Sequence, residues 1–113
     1  DHRDLHSFPT RRSSDLYLLN VKGFPLSHLS VEHVVSVNGM PQRYDIVVFD
    51  DGLKPHMVVE CKAPHVGLTQ KVVAQAARYN AVLRAPLLCV TNGKDRRAFR
   101  VEFGTGKVTE VTF

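Results

Sequence analysis

Between Arg43 and Pro64 the chain reads Tyr-Asp-Ile-Val-Val-Phe, then Asp-Asp-Gly-Leu-Lys-Pro, then His-Met-Val-Val-Glu-Cys-Lys-Ala. Two β-branched runs on either side of a polar turn predict a hairpin, and this prediction constrains the chain more than any other feature. Successive side chains on a strand point to opposite faces, so residues two apart share one. Glu60 and Lys62 therefore point together, while Cys61 points the other way with Val59, as a small buried hydrophobe rather than a reactive thiol. Asp45, near the start of its strand, comes close to Glu60, near the end of the next. One acid and a Glu-x-Lys pair are thus expected at the same end of the hairpin.

Those residue types suit hard-cation chemistry. Mg²⁺ takes oxygen ligands from one or two carboxylates and keeps water and substrate phosphate as the others. A lysine beside it can orient or deprotonate the attacking water and offset charge on the phosphate. The same three residues would also serve as a solvated face with a cross-strand ion pair, so the pattern alone leaves both readings open.

The segment after Pro64 narrows the choice. Leu68 to Arg84 has the period of an amphipathic helix, with Val72, Val73, Ala76, Ala77 and Leu83 on one side and Lys71, Gln75, Arg78 and Tyr79 on the other. Gln75 and Tyr79 stand one turn apart and stack on one face. Asn80 falls inside the apolar stripe and needs a partner if buried. Pro86-Leu-Leu-Cys-Val-Thr-Asn-Gly93 is an apolar run closed by a turn signal, expected to be a buried strand joined to the previous one by a right-handed parallel crossover. Upstream, Asn38-Gly39 marks a hairpin between Val31–Val37 and Gln42–Asp50. Downstream, 98–103 and 107–113 alternate around a Gly-Thr-Gly turn. The expected fold is α/β with a mixed α+β sheet: a three-stranded antiparallel meander, a crossover helix, a fourth strand and a C-terminal hairpin.

Taken together, Arg43-Tyr-Asp45, Val58-Val-Glu-Cys-Lys-Ala-Pro64, Gln75-x-x-Arg-Tyr-Asn80 and Thr91-Asn-Gly93 resemble the N-terminal nuclease domain of the restriction subunit of type I restriction enzymes, within the PD-(D/E)xK nuclease superfamily. The resemblance covers about residues 17 to 113 and implies a restriction-endonuclease-like core. By position it implies Asp45 and Glu60 as metal ligands, the Cys61 carbonyl as a further ligand, Lys62 as the catalytic lysine, and Gln75 and Tyr79 as the Gln-x-x-x-Tyr element. Glu32 resembles an earlier acidic position of the family and reads equally well as an outward strand glutamate. The implied activity is Mg²⁺-dependent hydrolysis of DNA phosphodiesters, with Mn²⁺ as a substitute. The implied partners are DNA and the motor, specificity and modification subunits of a restriction system. Tyr44 stands where the superfamily name has proline. These 113 residues contain no Gly-x-x-x-x-Gly-Lys-Ser/Thr loop, so ATP-driven translocation is not expected of them.

Residues 1–16 need separate treatment, because His6 to Leu16 reads as the translation of a common short-read sequencing adapter. They are expected to be a non-native leader, leaving 17–113 as the nuclease domain. The first helix is then expected to be truncated, with Tyr17-Leu-Leu-Asn-Val-Lys22 as its last turns before Gly23 and Pro25. The net charge of +4 does not depend on the leader, since 12 Lys and Arg against 8 Asp and Glu remain without it. A modest basic excess suits a phosphate backbone. Lys71, Arg78 and Arg84 lie on or near the helix, and Lys94, Arg96, Arg97 and Arg100 follow Thr91-Asn-Gly93. Of these, Lys71, Arg78, Lys94, Arg96 and Arg97 are the DNA-binding candidates, with a solvated loop and strand face as the alternative. Cys61 and Cys89 are expected to be reduced core residues in a cytoplasmic protein. No apolar stretch approaches membrane-spanning length. Two other function classes stay open: a non-cleaving DNA-binding module that keeps the fold, and an assembly domain of a larger complex.

Overall fold

A computed structural model describes residues 22–112 together with Arg11, Tyr17 and Leu18. Of the expected leader only Arg11 falls among the described residues. Six strands form one sheet in sequence order: β1 (Leu29–Val37), β2 (Met40–Phe49), β3 (Pro55–Cys61), β4 (Leu87–Thr91), β5 (Arg96–Glu102) and β6 (Lys107–Val111). The pairs β1–β2, β2–β3, β4–β5 and β5–β6 are antiparallel, and β3–β4 is parallel. The single parallel pair is where the helix crosses over, α1 (Gln70–Leu83). This is the meander, crossover and terminal hairpin that the alternation and turn signals predict.

Local chemistry explains the boundaries. Asn38 and Gly39 both adopt positive φ, 52° and 78°, which the tight β1–β2 turn requires and which this pair tolerates best. The helix starts later than its periodicity suggests because Thr69 is its N-cap, its hydroxyl accepting from the Val72 amide at 3.3 Å. Asn80, as a buried polar residue must, finds its partners in the backbone. It is 1 % exposed, its Nδ2 donates to the Ala85 carbonyl at 2.9 Å, and its Oδ1 accepts from the Ala85 amide at 3.0 Å. These two bonds fold the chain back after the left-handed C-cap Arg84, φ 56°, and aim it into β4. At the other end, Tyr17 and Leu18 are helical. Their carbonyls accept from the Lys22 and Phe24 amides at 3.1 and 3.0 Å, around Gly23 at φ 73°.

The core lies on both faces of the sheet. One face carries Ile46, Val48, Met57, Val59, Cys61 and Cys89 against Leu18. The other carries Val47, Val58, Leu88 and Val90 against α1 through Ala76, with Tyr79 and Leu83 at its margin. Cys61 and Cys89 are free and buried, and burial pushes the Cys89 thiol up to about 12, against the influence of Arg96. None of the described helices is long and apolar enough to cross a membrane.

Candidate metal centre and its surroundings

The β2–β3 register pairs Ile46 with Val59, so one rung further Asp45 stands opposite Glu60. Alternation from Val58 and pairing with Val90 turn Glu60 toward α1. Both carboxylates are 1 % exposed. The Asp45 carboxylate is anchored across the strands, accepting from the Cys61 amide at 2.8 Å through Oδ2. Burial pushes the Glu60 carboxyl well above the ordinary carboxylate range; the charge of Asp45 and a hydrogen bond between the two acids push the same way, and Lys62 opposes them. Two acids thus share one water-poor rung, with the half-exposed Lys62 close enough for its charge to act on Glu60.

The alternation is broken on this rung. In β2, Ile46 and Val48 belong to the face away from α1, yet Tyr44, of the same parity, packs with the α1 cluster. In β1, Leu29 lies against the first cluster and Val35 against the second. The change of phase coincides with Glu32, whose φ of 52° is rare for a non-glycine strand residue. Its neighbours pair as Val31 with Ile46 and His33 with Tyr44, so Glu32 stands opposite Asp45. Among the described residues no three His, Cys, Asp or Glu side chains converge as a metal-holding group. Glu32 therefore shares the rung with the acid pair without forming a three-acid cluster.

The phase change delivers Tyr44 to the helix. It is fully buried, its hydroxyl donates to the Tyr79 carbonyl at 2.6 Å, and it accepts from Gln42 Nε2 at 3.0 Å. Burial, then the charges of Glu60 and Tyr79, push the Tyr44 phenol up to about 12. Gln75 and Tyr79 do lie on one face of α1, and with Gln42 and Arg78 they line an open cavity of about 260 Å³. Neither Gln42 nor Tyr44 is among the sequence-derived candidates. Periodicity places them on a strand and carries no signal that the strand changes phase.

The basic candidates are scattered. Lys71 and Arg78 are exposed on α1. Arg97 instead makes a paired bond to Glu110, at 3.0 and 2.8 Å, and a third to the Leu68 carbonyl at 3.1 Å. Arg96 lies over the Tyr17 ring, 4.1 Å from its centroid, and pairs in register with Thr91, on the same face as Cys61 and Cys89. Lys94 and Arg96 line a separate cavity with Val111 and Thr112. The Thr91-Asn-Gly93 turn is a clamp. Asn92 Nδ2 donates to the Val66 carbonyl at 2.7 Å, and its Oδ1 accepts from the Lys94 and Asp95 amides at 2.9 and 2.8 Å. Arg96 and Arg97 thus face opposite sides of the sheet, and Lys94 shares its cavity with Arg96.

Comparison with known proteins bears on this geometry. No curated protein sequence matches the chain. A solved fragment described as an HsdR subunit of a type I restriction enzyme from Vibrio vulnificus YJ016 shares the fold, with a TM-score of 0.61 and 20% identity over 90% of this chain. The chain spans 22% of that solved chain. The family model for the type I restriction enzyme R protein N terminus (HSDR_N) matches residues 9–112. This chain belongs to the family of type I restriction enzyme R protein N termini.

Proposed function

We propose that this chain is a Mg²⁺-dependent endonuclease domain that hydrolyses DNA phosphodiester bonds. The observation that supports the reading is the buried Asp45–Glu60 pair with Lys62 on the same strand face as Glu60. Two carboxylates packed together away from water repel each other and lose hydration, an arrangement that costs stability unless a cation or proton offsets it. The donor set is all oxygen and hence suits a hard divalent cation. Asp45, Glu60 and the Cys61 carbonyl would hold it, and Mg²⁺ bound there would polarise the phosphate and lower the pKa of a bound water. Mn²⁺ suits the same donors.

The remaining work belongs to the chain. Asp45 is held in place by the Cys61 amide, so the carboxylate position does not depend on the loop before β3. Lys62 sits half-exposed at the end of β3, where its ammonium orients the attacking water and offsets charge on the phosphate. Gln75 and Tyr79 hold the strand over the acids from α1. In the whole R subunit, DNA would reach this site through the motor and the specificity and modification subunits.

The test is nicking of supercoiled plasmid in Mg²⁺ or Mn²⁺, run beside Glu60→Ala and Lys62→Ala. Metal-dependent cutting that both variants lose supports the reading. A folded parent that binds DNA and never cuts it rejects activity in the isolated chain.

A further inference from the structure

The cavity between β2 and α1 has a polar lining, and its residue on β2, Gln42, belongs to the same strand as Asp45. Gln42 and Asp45 are three residues apart on one strand, about 10 Å at strand rise. With the reach of its side chain, Gln42 at that spacing can contact a phosphate beside the one held at Asp45. Gln42 reaches the cavity from β2, and Gln75, Arg78 and Tyr79 reach it from α1. Its two walls are fixed to each other by the buried Tyr44, whose hydroxyl bonds Tyr79 on the helix side and Gln42 on the strand side. Arg78 is exposed, and no described ion pair engages it, in contrast to Arg97. A guanidinium fork beside two carboxamides presents N–H donors and no acid, which is the chemistry of a phosphodiester oxygen site.

We propose that the Gln42–Gln75–Arg78–Tyr79 cavity is a DNA backbone-phosphate subsite, next along the strand from the phosphate cut at Asp45 and Glu60. The inference deepens the nuclease reading and rests on it for the identity of the ligand. Gln42 is the specific commitment, since it is a neutral strand residue that a simple basic-patch account would leave out.

The experiment measures binding of a labelled short DNA duplex by fluorescence anisotropy across a salt series, with Ca²⁺ in place of Mg²⁺ so that the duplex is not cut. Arg78→Gln is expected to weaken binding and to flatten the slope of log K against log salt by about 1, the loss of one phosphate contact. Gln42→Ala is expected to weaken binding about tenfold with no change of slope, because it removes a hydrogen bond to a charged group and no charge. Gln42→Glu, which keeps the length and adds a negative charge, is expected to weaken it further. Lys107→Gln, on the far strand β6, is the charge-matched control. Only variants that melt like the parent are counted, and Gln42→Glu serves if Gln42→Ala does not. This pattern supports the subsite even if plasmid cutting is absent, in which case the nuclease reading alone fails. A cutting parent whose Gln42 and Arg78 variants bind normally overturns the subsite and leaves the nuclease reading standing. A parent that binds no duplex overturns it too.

Discussion

Two polar regions flank β4: the acid rung on β2 and β3, and the Asn92 corner where β4 turns into β5. Both are rich in polar and charged residues, and from the sequence both are functional candidates. At the Asn92 corner each buried polar group is used to close the fold, with Asn92 holding three backbone groups and Arg97 divided between Glu110 and Leu68. At the acid rung like charges are driven together, and Glu60 has its carboxyl pushed upward by burial and by Asp45. A region built for stability satisfies its charges with partners of opposite sign. Like charges held in a water-poor place instead leave a balance that a bound cation would supply under the proposed function.

The largest expected effect separates the two regions by activity. Lys62→Ala or Glu60→Ala should lower metal-dependent plasmid cutting by about 100-fold or more, whereas Arg97→Gln should leave the rate near that of the parent. An Arg97→Gln variant as impaired as Lys62→Ala would break the comparison.

Next in size is Asn92→Ala, which strands three backbone groups at a buried site. It is expected to cost about 2–3 kcal/mol of stability, read as a lower denaturant midpoint, with cutting unchanged well below the melting temperature. Asn80→Ala removes two comparable bonds to Ala85 and should cost about 2 kcal/mol.

A pH series reads the sign of the acid rung. Glu60 titrates above its ordinary 4.5 in the folded chain. Between that value and its raised folded value the native state therefore binds more protons than the unfolded one, and stability falls as pH rises through this interval. Without metal, the melting temperature should decline from about pH 4.5 upward more steeply in the parent than in Glu60→Gln. Added Mg²⁺ should raise the parent's melting temperature and leave that of Glu60→Gln nearly unmoved. Equal pH slopes in the two proteins would mean that Glu60 carries no excess proton.

The smallest effect is expected from Tyr44→Phe, which keeps the ring in the core and removes the bond to Tyr79. A loss of about 1 kcal/mol, measured by denaturant titration, should accompany a weaker hold on DNA without a change in salt slope.

The strands, the crossover and the facing of Asp45 and Glu60 were legible in the sequence because they rest on local rules. Side chains alternate along a strand, Asn-Gly accepts positive φ, and an apolar period of 3.6 makes a helix with one buried side. Placing Cys61 on the face away from the acids followed from the same rule, and Cys61 does lie in the Leu18-side core. Asn80 could be recognised as a residue in need of partners, but they were the backbone of Ala85, on the far side of a left-handed cap that periodicity does not encode.

Other features were decided by the tertiary structure. Arg97 is a basic residue in the sequence, and only the β5–β6 pairing reveals the glutamate beside it. Arg96 and Arg97 are neighbours in the chain and stand on opposite faces of the sheet, one over Tyr17 and the other against Leu68. The change of phase at Glu32, at φ 52°, and Asp45 lets Tyr44 and Gln42 meet α1, and no local sequence signal marks it. Local sequence rules therefore determined which residues could form a site here. The long-range packing of β2 between a helix on one face and Leu18 on the other decided which of them meet, because burial and the distance between charges exist only once the layers are assembled.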